Sequence, residues 1–223
     1  MNKALFFKEW LKIRTCYLCM AAVVAAMTVY CLMRIGRVIT IKDVSHLWEL
    51  MIGRDMVFTE VLQYVFLPVG IAVAVAQFLP EILQKRLKLT LHLPVSQQRM
   101  TFTMLAFGAI ALVVLFALNA LAVWGYTQRL LAEELTARIL LTMIPWYLGG
   151  LAAYFLTAWI LTEPTLYMKI VAALLSIAVL RVYYLSDDPE SYNGFLPFLA
   201  WITLSLSSLT WLSVLRFKAG AQD

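Results

Sequence analysis

Three cysteines, Cys16, Cys19 and Cys31, fall within one apolar block, and the first two form a C-x-x-C. Thiol–disulfide enzymes use that spacing because it sets a nucleophilic thiolate beside a resolving thiol. Two cysteines one turn apart in an apolar helix also serve as small hydrophobes, and this is the preferred reading, since a membrane oxidase would need a second pair that three cysteines cannot supply. Metal chemistry has even less to work with. His46 and His92 are the only histidines, both fall in expected loops, and neither has an H-E-x-x-H or clustered Cys/His context. A phosphate-cradling P-loop needs adjacent Gly-Lys, yet no glycine is followed by lysine. No Asp or Glu stands near the middle of an expected span, where proton-coupled carriers and intramembrane hydrolases place an ionisable group. The expectation is a chain with no catalytic residues, no metal, no cofactor of its own and no nucleic-acid partner.

What polarity there is within apolar segments consists of Gln63, Gln77, Asn119 and scattered Ser, Thr and Tyr, including Tyr154 and Thr157. Amides in lipid usually join helices to one another, and the alternative is contact with a cargo. A path lined this way suits an apolar or amphipathic molecule better than a free ion.

These residues are carried by elements sized for a bilayer. Of 223 residues 63% are hydrophobic and 14% charged, too little polar surface to coat a soluble globule. The apolar residues run in blocks near 16–33, 59–80, 101–124, 139–161, 170–185 and 196–215. Each of the six is read as a membrane-spanning helix, the fifth being the shortest. Pro68 and Pro145 sit inside the second and fourth, where neighbouring helices can satisfy the freed carbonyls. The first block is read as a retained signal-anchor helix rather than a cleaved signal peptide, because the fourteen preceding residues are amphipathic and contain Glu9. The predicted fold is therefore an all-α, polytopic, single transmembrane domain.

Six spans would put the N-terminus, the loops near 81–100 and 162–169 and the tail from 216 on one face. That face holds Lys3, Lys8, Lys12, Arg14, Lys85, Arg86, Lys88, Arg99, Lys169, Arg216 and Lys218, eleven of the eighteen basic residues. Nine of the thirteen acids fall on the other, including Asp187, Asp188 and Glu190. The positive-inside bias puts both termini in the cytoplasm and the chain in the cell's inner membrane.

Two flanking segments carry further information. Residues 5–13 set Phe6, Phe7, Trp10, Leu11 and Ile13 on one side of a helix and Lys8, Glu9 and Lys12 on the other. This is the pattern of an interfacial helix, with Phe7, Lys8, Trp10 and Lys12 as its anchors, or of a basic flank that fixes orientation. The loop after the second span mixes leucines with cations: Leu83, Lys85, Arg86, Leu87, Lys88, Leu89, Leu91 and Leu93. As a helix over 82–94 it would show Leu83, Leu87 and Leu91 on one face and end before Pro94, with Ser96 capping the next span. The leucine alternation also permits a short extended piece.

The basic amphipathic N-terminus, six spans, and a second loop closing on Leu91, His92, Leu93, Pro94, Val95 and Ser96, followed by Arg99 and Gly108, resemble the type-2, exporter-type permeases of ATP-binding cassette transporters. The resemblance implies an elbow helix at residues 1–15. It also implies a coupling helix at 82–94, in which Leu83, Lys85, Arg86, Leu87, Lys88 and Leu91 dock on a cytosolic ATPase subunit that binds the ATP. A second permease, identical or homologous, would complete the path. The alternative is a membrane anchor or assembly factor whose basic loop recruits a cytosolic partner without transport.

Overall fold

The computed structural model describes residues 2–42, 48–83, 97–186 and 188–218. Among them all regular structure is helical: α1 (Asn2–Lys42), one π-helical turn (Glu49–Gly53), α2 (Glu60–Leu83), α3 (Gln97–Thr127), α4 (Glu133–Thr162), α5 (Leu166–Val182) and α6 (Leu196–Lys218). Five of these, α1 to α4 and α6, are long and apolar enough to cross a bilayer. The chain is thus an all-α protein with several membrane-spanning helices. Pro68 and Pro80 lie inside α2 and Pro145 inside α4 without ending either helix.

One helix is as short as its apolar block, and another is longer than expected. The fifth block forms α5, whose 17 residues extend about 25 Å at ~1.5 Å per residue, short of a hydrocarbon core of ~30 Å. The N-terminal segment is not a separate interfacial helix. Residues 2–15 and the first apolar block make one helix of 41 residues, because a single buried stripe runs its length. Glu9, Ile13, Val24, Thr28, Cys31 and Ile35 recur at helical spacing on the inner face. The stripe begins with a carboxylate, so the polar side of the first turns faces the bundle while Phe7 and Trp10 face outward.

The central element is α4, which packs on α2, α3, α5 and α6. It runs parallel to α2: Gln63 and Trp146 line one cavity, Gly70 meets Gly150 midway, and Gln77 bonds Tyr154 farther along. A methyl group on Gly70 would overlap the Gly150 carbonyl, and one on Gly150 would lie 2.8 Å from the Phe66 carbonyl oxygen. Paired glycines let the two backbones touch, which gains van der Waals contact where lipid supplies no hydrophobic drive between helices. Phe66, Phe116 and Tyr147 close around this crossing with ring centroids 4.7 to 5.4 Å apart.

The helices alternate in direction. Tyr17 of α1 donates to the Ala111 carbonyl of α3 (3.0 Å), and the two helices meet again at Thr28 and Asn119. Lys8 meets Glu81 at the end of α2, and Arg216 near the end of α6 meets Glu163 just past α4. Both ends of the described chain therefore lie at one end of the bundle.

Candidate functional site

Buried charge gathers at that end. Lys8, Glu9 and Lys12 project from the second and third turns of α1 toward the last turns of α2. The Lys12 ammonium sits 2.6 Å from Glu9 Oε1 and 2.5 Å from Glu81 Oε1, and Lys8 Nζ lies 2.9 Å from the same Glu81 oxygen. Glu9 and Glu81 are 2% and 1% exposed. Two cations against two carboxylates leave the cluster neutral, which is the condition for holding charge away from water without a large desolvation cost.

Gln77, one turn before Glu81, extends the cluster inward. Its Nε2 donates to Glu9 Oε2 (3.0 Å) and to the Met104 carbonyl of α3 (2.8 Å). Its Oε1 accepts from the Tyr154 hydroxyl of α4 (2.8 Å), which also reaches the Leu105 carbonyl (3.2 Å). The amide thus uses both ends, and four helices share one polar network. Gly108 makes room for it. A Cβ there would collide with the Tyr154 hydroxyl and the Gln77 Oε1.

A second, smaller network lies deeper among α1, α3 and α4. Asn119 Nδ2 donates to Thr28 Oγ1 (2.5 Å), and the Tyr147 hydroxyl donates to Asn119 Oδ1 (2.7 Å). Thr28 Oγ1 is itself bonded to the Val24 carbonyl (2.6 Å). Glu163 forms a third site, accepting from Ser213 and from Arg216 Nη1 (3.1 Å).

The residues singled out in the sequence divide among these places. Lys8 and Lys12 join Gln77 in the buried cluster, whereas Phe7 and Trp10 of the same helix stay outside it. Asn119 joins helices through Thr28 and Tyr147. Gln63 is buried at the far end of α2, beside a cavity shared with Trp146. Leu83 ends α2 exposed, while Lys85, Arg86, Leu87, Lys88 and Leu91 lie outside the described residues. Cys16 contacts the Ala72 carbonyl (3.6 Å) and Cys19 faces outward, both as free thiols.

Glu9 is the partner that the sequence pattern hid. Its i,i+3 spacing to Lys12 reads as a surface pair, and only the packing of α1 on α2 turns it inward. Glu163 was missed because it follows an apolar block next to Pro164, where a carboxylate normally meets water.

Glu60 and Glu81 bracket α2 and each pairs with α1, Glu60 through Arg34 (3.3 Å). The two carboxylates stand twenty-one residues apart, roughly 32 Å along the axis at ~1.5 Å per residue. That matches the ~30 Å hydrocarbon layer, so the apolar length of α2 is closed by an ion pair at each boundary. Paired charge thus joins the end of α2 to the start of α1, and the Gln77–Tyr154 hydrogen bond joins it to α4. No protein-family model, curated protein or solved structure matches this chain.

Proposed function

We propose that the chain is the membrane-spanning permease subunit of an ATP-binding cassette transporter of the exporter type, energised by a separate cytosolic ATPase. In this reading all six helices cross the inner membrane, the short α5 included, both termini are cytoplasmic, and a second permease completes the path.

One observation carries most of the weight. The Lys8–Glu9–Lys12–Glu81 cluster ties the start of α1 to the end of α2 immediately before residues 84–96. That segment holds the leucines and cations of the proposed coupling helix. A force applied there by an ATPase would enter α1 and α2 together, and would reach α3 and α4 through Gln77 and Tyr154. The alternating directions of the helices, with both ends of the described chain at one end of the bundle, also suit six crossings.

The test is assembly with the ATPase. Tagged chain purified from its own membrane should retain vanadate-sensitive ATP hydrolysis. Truncating Leu87 or Leu91 to Ala should each weaken that association by roughly 1 to 3 kcal/mol, since binding energy concentrates in desolvated apolar anchors. Replacing Lys85 alone should cost under about 1 kcal/mol and vary with salt. An inserted, folded double variant, Leu87→Ala with Leu91→Ala, that keeps its ATPase at wild-type levels would end the coupling-helix assignment.

A further inference from the structure

The opposite end of the bundle is open. Two cavities of about 500 and 520 Å³ adjoin there and share Gln63 and Tyr64 of α2. The first is polar at its rim, where Arg54, Asp55, Glu60 and Asp188 meet. The second descends between α2 and α5, which both pack on α4 and leave a cleft between them. Leu67 and Ile71 form one wall, Ile177 and Leu180 the other, and Arg181 and Tyr184 stand at the upper edge.

Polarity falls along this cleft in one direction. On α2 the lining residues Glu60, Tyr64, Leu67 and Ile71 follow at helical spacing, covering roughly 16 Å at ~1.5 Å per residue. The side of the cleft faces outward, with Tyr64 72% exposed and Ile177 also exposed. In a bilayer a molecule could enter it sideways from the lipid.

The charges at its mouth are unevenly matched. Asp55 is paired with Arg138 and Glu60 with Arg34. Arg54 shares the first cavity with Asp188, whose carboxylate accepts from Ser186 Oγ (3.3 Å), and Arg181 lines the second; neither arginine is in an ion pair among the described residues. The Tyr184 ring lines the second cavity, with its hydroxyl buried against Gly149 of α4, one residue from the Gly70–Gly150 contact. Guanidinium groups are suited to phosphate oxygens, which they can hold with two parallel hydrogen bonds.

We infer that this cleft is a binding site for an anionic, phosphate-bearing membrane lipid. The headgroup is held between Arg54 and Arg181, at the mouths of the two adjoining cavities, and one acyl chain lies along Leu67, Ile71 and Ile177. Snorkelling would explain an exposed Arg181 alone. It does not explain a second cation in the adjoining cavity together with an apolar stripe graded along the same face of α2. The site belongs to this chain by itself, so lipid binding and ATPase association can succeed or fail separately.

The experiment uses the purified full chain in nanodiscs containing equal phosphatidylglycerol and phosphatidylcholine, each carrying a diazirine on one acyl chain in parallel samples. Phosphatidylglycerol should crosslink several-fold more than phosphatidylcholine, at peptides containing Tyr64, Ile71 or Ile177. Arg54→Ala with Arg181→Ala should bring the two lipids to equal yield, while Ile177→Trp should lower both by filling the cleft. Both arginines are exposed, so the double variant should fold. Crosslinks in the wild type without headgroup preference would mean annular lipid only, and crosslinks mapping only to other helices would mean the cleft is not the site. Either result overturns the inference, without reference to any variant.

Discussion

At the scale of single residues, the neutral cluster of Lys8, Glu9, Lys12 and Glu81 should behave unequally when its members are removed. Glu81→Ala leaves Lys12 buried with one carboxylate and Lys8 with none. We expect a loss of about 1 to 3 kcal/mol, since Lys12 keeps Glu9 and only the part-exposed Lys8 is left unpaired, measured by reversible unfolding in mixed micelles. Lys8 is different, because its side chain is 37% exposed and Lys12 still covers Glu81. Lys8→Ala should therefore cost under about 1 kcal/mol; equal losses from the two variants would contradict a cluster centred on Lys12 and Glu81. Tyr154→Phe removes the donor that Gln77 Oε1 accepts from and leaves that oxygen buried and unpaired, at about 1 to 3 kcal/mol by the same measurement. Gln77 and Tyr154 were legible as polar residues in apolar segments, and their joining role was the expected one. That they bond each other was not legible, since seventy-seven residues separate them.

At the scale of elements, the contact between α2 and α4 rests on Gly70 and Gly150. Gly150→Ala would bring a methyl to 2.8 Å from the Phe66 carbonyl and 2.9 Å from the Phe116 ring, and neither backbone nor a clamped ring can yield freely. We expect a destabilisation of roughly 1 to 3 kcal/mol. Gly125→Ala, on α3, meets nothing within 4 Å and serves as the control; it should leave stability unchanged or raised, since alanine is the better helix former. If both variants unfold at the wild-type midpoint, the two backbones do not touch at Gly150. The positions of α2, α3, α4 and α6 were readable from unbroken apolar runs, although α3 and α4 extend beyond theirs at both ends. The inward turn of α1's charged face was not, because periodicity shows which residues share a side and cannot say which side finds a partner. A carboxylate at Glu81, eighty residues along the chain, decided it.

For the molecule as a whole, the proposed orientation rests on the distribution of basic residues and has a direct test. On a cysteine-free background, a probe at Ser191 should react with an impermeant maleimide added outside intact cells, and one at Gln98 should react only after permeabilisation. Reversed labelling would invert the topology, and protection of both sites until permeabilisation would show that α5 does not cross. The sequence by itself determined that this chain lives in lipid, that it is helical, and where its long apolar segments fall, because burial of backbone polar groups in hydrocarbon leaves so few other solutions. Only the tertiary structure decided which polar groups meet: Glu9 with Gln77, Glu81 with two lysines of α1, Thr28 with Asn119, and an arginine-edged cleft between α2 and α5. Those pairings depend on the rotation of each helix about its own axis. In an apolar environment, that rotation is set by the few polar and glycine contacts between helices and not by hydrophobicity, which is nearly uniform around them.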